Sequence, residues 1–167
     1  NSLKVRLPHV LDWLAETDTD ILALQETKLT DENFPAEALQ EAGYHSVFYG
    51  QKTYNGVAIL AKQKPEDVWT GLSDGQARVI TASFGDVRII CAYVVNGQEV
   101  GSDKYAYKLS WLDELKQRLS EELQAHQKLV LLGDFNIAPN PDDTWDPEAW
   151  EGKILCSDPE RDALKEL

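Results

Sequence analysis

Three apolar runs of the sequence each end in polar residues of the types that bind metal ions and phosphate groups. In open α/β sheets, ligands tend to lie beyond the carboxyl ends of the strands. If the three runs are strands that share one sheet edge, a carboxylate, a phenol, a second carboxylate and an amide converge there. These four candidates are Glu26, Tyr93, Asp134 and Asn136.

The four side chains suit metal-assisted cleavage of a phosphoester. Mg²⁺ prefers hard oxygen ligands and retains several waters, so one or two protein carboxylates and a substrate phosphate complete its coordination. Asp134 and Asn136 are two residues apart, so in an extended segment they point to the same side. Asp134 can then accept a proton from an attacking water while Asn136 holds that water or a phosphate oxygen.

Each of the four residues also has an ordinary structural interpretation. A lone glutamate such as Glu26 after a strand is usually a solvated loop residue or a charge at a helix start. Tyr93, on an apolar run, is the type of residue most often found in a core. Asp134 beside a glycine and Asn136 are both typical of turns. Taken alone, the residues indicate only metal-dependent phosphate chemistry.

The elements that would position these residues belong to a mixed α/β layered domain. Helical periodicity predicts helices over 2–16, 30–42 and 103–124 and a further helix from residue 158. The long helix has a predicted inward stripe of Leu112, Leu115, Leu119 and Leu123. Apolar runs predict strands at 44–49, 57–61, 78–84 and 87–95, strands buried on both faces at 20–25 and 128–132, and a loop over 133–150.

The composition is that of an ordinary globular protein, with 167 residues, 43% hydrophobic and 27% charged. Cys91 and Cys156 have no metal-like spacing and no secretory signal is visible, which predicts reduced thiols and a cytoplasmic location. No apolar run approaches the ~20 residues that span a bilayer, so no membrane partner is expected. The net charge of -13 argues against simple charge-driven DNA binding, but a nuclease that gathers carboxylates is not excluded.

Several segments, in order, resemble the signatures of the exonuclease III family of AP endonucleases, within the endonuclease/exonuclease/phosphatase superfamily. They are L-Q-E-T-K at 24–28, Y-N-G-V-A-I-L at 54–60, Y-V-V-N-G at 93–97, G-D-F-N-I-A-P at 133–139 and, as in the bacterial branch, D-P-E-A-W at 146–150. The resemblance implies a four-layer α/β sandwich of two mixed β-sheets flanked by helices. This chain would be a single incomplete domain over 1–167 that forms mainly the first sheet.

The resemblance also implies a role for each matching residue. Glu26 would be the principal metal ligand, and Tyr93 would hydrogen-bond the scissile phosphate. Asp134 would orient or deprotonate the attacking water, and Asn136 would position that water and the phosphate. The residues implied to lie near the DNA are Arg78, Asn96, Lys108 and Asn55, of which Asn55 either approaches the site or simply shapes the Y-N-G turn.

The chain departs from the family pattern at both ends. Asn1 matches the second asparagine of the family's N-terminal Asn-x-Asn signature, and the first asparagine has no counterpart. The Arg-Ile-Asp and Ser-Asp-His motifs of the family's C-terminal third have no counterpart either. His9, His45 and His126 match no family histidine. We therefore expect the chain by itself to be inactive.

The activity implied for the intact protein is hydrolysis of the phosphodiester 5′ to abasic sites in double-stranded DNA, with 3′-to-5′ exonuclease and 3′-end-cleaning activities. Mg²⁺ would be the cofactor, with Mn²⁺ as a substitute, and the full-length enzyme would be a monomer. Two alternatives remain open. One is a superfamily phosphatase acting on phospholipid or inositol phosphate, and the other is a catalytically silent nucleic-acid-binding regulator.

Overall fold

A computed structural model describes residues 2–167, and Asn1, the match to the Asn-x-Asn signature, lies outside the described residues. The chain divides into two compact units. The first contains the residues up to Tyr93 together with His126–Asp134, and the second contains Val94–Ala125 and Phe135–Leu167. All the β-strands belong to the first unit, and the longest helix belongs to the second.

The first unit is built on two β-sheets. Three strands, β1 (Ile21–Gln25), β2 (His45–Tyr49) and β3 (Val57–Ala61), form an antiparallel sheet with β3 in the centre. The other sheet has four strands in chain order: β4 (Glu66–Thr70), β5 (Val79–Phe84), β6 (Val87–Tyr93) and β7 (Lys128–Asp134). Only β6 and β7 run parallel to each other.

The central strand β3 is buried on both faces. Its residues Val57, Ile59 and Ala61 pack into a core that also contains Ile80 of β5 and Cys91 of β6, so the two sheets lie face to face. Ala58 and Leu60 point to the opposite face because side chains alternate along a strand. There they pack with Leu14 of α1 (Leu3–Thr17) and Leu39 of α2 (Ala36–Glu41). Burial on both sides accounts for the uninterrupted apolar sequence of β3.

The predicted fold class is confirmed: two sheets and flanking helices are present. One detail of the prediction is wrong: the chain does not form mainly one sheet, because its strands divide three to four between the two sheets. In the described residues the three-stranded sheet is antiparallel, and the four-stranded sheet contains one parallel pair.

The two strands predicted to be buried on both faces, β1 and β7, are only partly buried. Among the strands that the structure describes, each is the outer strand of its sheet. Their apolar sequences therefore do not distinguish an edge strand from a central one. The sequence analysis missed β4 entirely, because its exposed residues E-D-V-W-T contain little of the apolar pattern that marks a strand.

The predicted helix over 30–42 is wrong in its first half. A short 3₁₀ turn at Asp31–Asn33 ends before Pro35, and α2 begins only after that proline. Proline cannot donate the backbone hydrogen bond that a continuous helix requires at this position. In the predicted loop over 133–150, the structure contains a 3₁₀ turn at Pro141–Asp143 and the short helix α4 (Pro147–Trp150).

The second unit contains α3 (Asp103–Ala125), α4 and α5 (Asp158–Lys165), with α3 in contact with α5. Leu112, Leu115 and Leu119 are buried as predicted, but Leu123 is 55% exposed. Glu122 is buried in its place and pairs with Arg118. Cys91 and Cys156 are both buried free thiols. Within residues 2–167, no helix has the length and apolarity needed to cross a membrane.

Candidate active site

Glu26 and Tyr93 meet in the first unit although they follow strands of different sheets. Glu26 comes directly after β1 of the three-stranded sheet, and Tyr93 is the last residue of β6 in the other sheet. The Tyr93 hydroxyl donates a hydrogen bond to Oε1 of Glu26. The expectation that the strands share one sheet edge is therefore wrong for β1. The two residues are brought together by the face-to-face packing of the sheets.

Asp134 lies beside Tyr93 on the neighbouring strand. The parallel register of β6 and β7 pairs Tyr93 directly with Asp134, at the carboxyl ends of both strands. The first unit thus brings together the carboxylate, the phenol and the second carboxylate that the sequence predicts.

The local electrostatics set the protonation states of Glu26 and Tyr93. Burial, followed by the hydrogen bond to Glu26, raises the pKa of Tyr93 to about 12. The Tyr93 hydroxyl and then Lys28 hold the pKa of Glu26 below its ordinary value. Lys28 Nζ lies 3.0 Å from Glu26 Oε2, and the Glu26 side chain is 41% exposed. At neutral pH the pair is therefore a neutral phenol and an accessible carboxylate.

An unusual backbone conformation presents Glu26. Glu26 and Lys28 both have φ of 54°, in the left-handed region that L-residues rarely adopt. The loop that precedes β3 holds this conformation. Thr27 N donates a hydrogen bond to Gly56 O at 3.1 Å, and Lys28 N donates one to Asn55 O at 2.9 Å. A Cβ at Gly56 would lie 2.1 Å from Thr27 Oγ1, so this close approach requires glycine. The Y-N-G segment therefore supports the L-Q-E-T-K segment directly.

Asn55 is a buried part of that support. Its Nδ2 donates to Gln51 Oε1 at 3.0 Å and to Gln76 Oε1 at 3.1 Å. Its own φ of 55° falls in the left-handed region, which asparagine tolerates better than most residues. Of the two interpretations left open for Asn55, this geometry favours the shaping of the turn.

Arg78 packs against the ring of Tyr93. Its guanidinium lies 4.8 Å from the centre of the Tyr93 ring, a cation–π arrangement. Arg78 Nη1 also donates to Tyr93 O at 3.2 Å, and Nε donates to Gln76 Oε1 at 2.9 Å. Arg78 thus orients the tyrosine. Gln76, which links Arg78 to Asn55, was missed because a glutamine in a turn has no distinguishing sequence signal.

In the second unit the structure brings Asn96 and Asn136 together. Asn96 Nδ2 donates to Asn136 Oδ1 at 3.4 Å, and Asn136 Nδ2 donates to Val94 O at 2.9 Å. Lys108, predicted to lie near the DNA backbone, is wholly buried in this chain and forms an ion pair with Glu160. Its proximity to DNA stays a prediction. Glu160 was not singled out from the sequence, although S-D-P-E at 157–160 is a helix-capping pattern that could have drawn attention to it.

The donor set at Glu26 fits a hard divalent cation. Among the described residues, no group of three or more His, Cys, Asp or Glu side chains forms a metal site. A closed zinc site, with its four protein ligands, is therefore not a match. Mg²⁺ needs only one or two protein carboxylates, with water and phosphate filling its other positions. An ionised, half-exposed Glu26 meets that requirement.

The profile of the endonuclease/exonuclease/phosphatase family matches residues 3–159, a range that includes the five segments that resemble the exonuclease III signatures. The chain belongs to this family. Nucleases of the family generally depend on a divalent metal ion. The similarity to exonuclease III-type nucleases inferred from the motifs is confirmed by the individual relatives that follow.

The relatives include nucleases of known name and solved structure. Exodeoxyribonuclease III of Haemophilus influenzae is 35% identical over 150 residues, covering 84% of this chain and 56% of that protein. A 3′ phosphatase from Neisseria, solved with a product DNA hairpin, is 50% identical with a TM-score of 0.98, over 100% of this chain and 66% of that one. An AP endonuclease from Archaeoglobus fulgidus is 38% identical with a TM-score of 0.93, over 99% and 66% respectively. The chain thus spans between half and two thirds of the length of these family members.

The first unit of this family member also has a basic cavity of about 420 Å³. Lys4, Lys28 and Lys52 line it together with the polar side chains of Thr30 and Asn33. The cavity shares Lys28 with the Glu26 ion pair. Positive charge is therefore concentrated locally in a chain whose net charge is -13.

Proposed function

We propose that the protein containing this chain is a DNA-repair nuclease that hydrolyses the phosphodiester 5′ to an abasic site and also processes 3′ ends. The main support is the ionised carboxylate of Glu26, held by Tyr93 and Lys28 at the end of a strand. A carboxylate fixed in this way is a ligand for a hard cation. The similarity to nucleases and DNA-repair proteins over most of the chain supports DNA as the substrate.

In this proposal Glu26 is the protein ligand of Mg²⁺, for which Mn²⁺ can substitute. When bound, the metal ion stabilises negative charge on the phosphate and on the leaving oxygen. Lys28 lies beside the same carboxylate and contributes a further positive charge. The carboxylate remains ionised at neutral pH because its pKa is held below the ordinary value.

In this proposal the other candidate residues bind the attacking water and the phosphate. They are Asp134, Tyr93 and Asn136. Asp134, exposed at the end of β7, accepts a proton from the attacking water or orients it. Tyr93 stays protonated at neutral pH because its pKa is about 12, so it acts as a hydrogen-bond donor and not as a base. The amide of Asn136 holds the water or a phosphate oxygen.

DNA contact in this proposal depends on local positive charge. The cavity lined by Lys4, Lys28 and Lys52 is suited to phosphate groups, since Lys and Arg supply most of the affinity for the DNA backbone. Arg78 and Asn96 remain proposed neighbours of the DNA backbone. An abasic nucleotide is extruded from the duplex more easily than a paired one, which suits recognition of this lesion.

A second activity, removal of 3′ phosphates, is favoured by one observation. The Neisseria protein that is 50% identical is a 3′ phosphatase, whereas the Archaeoglobus AP endonuclease is 38% identical. Both activities cleave a phosphoester on DNA, so the same carboxylates would serve both. The ratio of the two activities then depends on which phosphoester of the DNA is positioned at these carboxylates.

The decisive experiment compares two labelled duplexes, one with a single abasic site and one with a 3′ phosphate. Full-length protein is assayed with Mg²⁺, with Mn²⁺ and with chelator, alongside Glu26→Gln and the control Glu66→Gln. We expect metal-dependent cleavage that Glu26→Gln abolishes and Glu66→Gln retains, because Glu66 is an exposed residue of β4. Hydrolysis of inositol phosphates or phospholipids without action on either duplex would replace the proposal with the phosphatase alternative. DNA binding without any hydrolysis would favour the silent regulator.

A further inference from the structure

Lys108 and Glu160 form a wholly buried ion pair in the second unit, with both side chains 0% exposed. Several loop and helix-end groups form hydrogen bonds with the pair. Lys108 Nζ donates to Asn136 O at 2.6 Å and to Asn96 O at 3.2 Å. The ammonium therefore binds the main chain of both asparagines that are brought together in this unit.

Both carboxylate oxygens of Glu160 accept further hydrogen bonds. Its Oε1 accepts a hydrogen bond from Leu155 N at 3.1 Å. Its Oε2 accepts from Ser157 N at 3.2 Å and from Ser157 Oγ at 2.7 Å, and Ser157 Oγ is 2.7 Å from the Tyr105 hydroxyl. This is a capping box at the start of α5. A buried ion pair is tolerated when its other hydrogen bonds are also made, as they are here.

The main chain at Asn136 and Gly97 packs closely around Lys108. Asn136 has φ of 48°, a conformation that needs support from its neighbours. Gly97 follows Asn96 with φ of 88°, and a Cβ there would lie 2.9 Å from Lys108 Cδ and 3.0 Å from Ile154 Cδ1. The loop of Asn96 can approach the lysine stem only because residue 97 is glycine.

We propose that Lys108 and Glu160 form an internal clamp that positions Asn136 and Asn96 for phosphate chemistry. Lys108 is then a positioning residue and not a DNA ligand. Replacing a buried ion pair by apolar or neutral groups is often neutral for stability, so the pair's importance should appear in the geometry that it imposes. This inference rests on the proposed nuclease function, in which Asn136 handles the water and phosphate.

The test uses full-length protein with both charges of the clamp removed, Lys108→Met with Glu160→Gln. Removing both avoids leaving one buried charge unpaired. The matched control is Lys116→Met with Glu166→Gln, an exposed pair between α3 and the end of α5 in which Lys116 Nζ lies 2.7 Å from Glu166 Oε2, with 41% and 61% exposed side chains. We expect kcat on abasic duplex to fall about 10–100-fold in the clamp variant, because displacement by about 1 Å can have that effect. KM should change less than about twofold, and the control should match the unaltered protein.

Two further measurements separate positioning from other roles. Because Lys108 touches no phosphate in this proposal, the slope of log affinity against log salt should be unchanged. A slope reduced by about 0.9 would mean a lost phosphate contact and would overturn the clamp. In an Asn136→Ala background the clamp changes should cause little additional loss of kcat. Full additivity of the two losses would also overturn it.

Lys108→Arg provides a second variant in case the neutral pair does not fold. It keeps a charge opposite Glu160, but the larger guanidinium must displace the two carbonyl groups that the ammonium contacts in this buried site. We expect a folded protein with kcat reduced several-fold. Unaltered kcat in folded Lys108→Arg would contradict the proposal. Absence of DNA cleavage by the unaltered protein would instead count against the nuclease function itself.

Discussion

Two glutamate–lysine pairs of this protein, one in each unit, differ in how far they are exposed and in what else their atoms contact. Glu26 and Lys28 form a half-exposed pair, with side chains 41% and 34% exposed. Glu160 and Lys108 are wholly buried, and their atoms are occupied by main-chain groups and Ser157. An accessible carboxylate can exchange its partner for a metal ion or substrate, whereas a buried and saturated one can only hold structure. The same two residue types therefore predict different functions depending on burial.

The largest expected effect is a loss of unfolding free energy when the buried pair is broken, and it tests this comparison directly. Lys108→Met alone leaves the Glu160 carboxylate buried without its partner, and we expect a loss of about 3–5 kcal/mol. Urea unfolding of the full-length protein measures it, with Lys116→Met as the control. A loss below about 1 kcal/mol would show that the buried pair behaves like a surface pair and would remove the contrast.

At the exposed pair, the main effect should be on activity. Glu26→Gln is expected to reduce kcat at least about 10²-fold, as is typical when a charge-stabilising group is removed. Unfolding free energy should change by about 1 kcal/mol or less, because exposed ion pairs contribute little. Steady-state cleavage and urea unfolding of the same sample test both parts. A large destabilisation with normal kcat would mean that Glu26 is structural.

A third prediction concerns the loop that presents Glu26. Gly56→Ala should destabilise the protein by about 1–3 kcal/mol and lower kcat, because the new Cβ would collide with Thr27. Gly75→Ala is the control: Gly75 has φ of 65°, but no other atom lies within 4 Å of the position that a Cβ would take there. Equal effects of the two changes on kcat would show that left-handed strain, and not contact with Thr27, is responsible.

The smallest expected effect is on the pKa of Glu26. The Tyr93 hydroxyl is the main cause that holds this pKa down, so Tyr93→Phe should raise it toward the ordinary value of 4.5. Because the folded-state pKa is depressed, the stability that the carboxylate contributes is present above its ordinary pKa and is lost as pH falls through the folded value. NMR titration of the metal-free protein measures the shift, and Tyr49→Phe should leave it unchanged. A lower pKa in Tyr93→Phe would contradict the assigned hydrogen bond.

Much of the fold was predictable from local sequence patterns. The helical repeat of α1 and α3 and the apolar runs of β1, β3 and β6 placed these elements within a few residues of their observed bounds. The failures have local causes. Pro35 interrupted a helix that periodicity extended through it, and β4 lacked an apolar pattern. Leu123 fitted the helical stripe in sequence but is exposed near the end of α3.

The sequence could indicate which residues are candidates for the site, but it could not fully predict how they are arranged in space. The motifs identified Glu26, Tyr93, Asp134 and Asn136 as chemically suited residues, and the ends of β6 and β7 do place Tyr93 beside Asp134. The sequence could not show that Glu26 arrives from the opposite sheet, because sheet packing is not encoded in the spacing along one strand. Nor could it show that Gln76 contacts Asn55 or that Glu160 pairs with Lys108, because these partners are distant in the chain.

By itself, the sequence determined the residue chemistry, most of the helices and strands in their order, and the family to which the chain belongs. These properties follow from side-chain type and from periodicities of a few residues. The tertiary structure alone decided which lysine is accessible and which is buried. Lys28 lies in a loop beside an exposed carboxylate, whereas Lys108 lies on α3 beneath the loops of Asn96 and Asn136. Burial and partner geometry arise from contacts between distant segments, and they determine whether a charged residue performs chemistry or holds the structure in place.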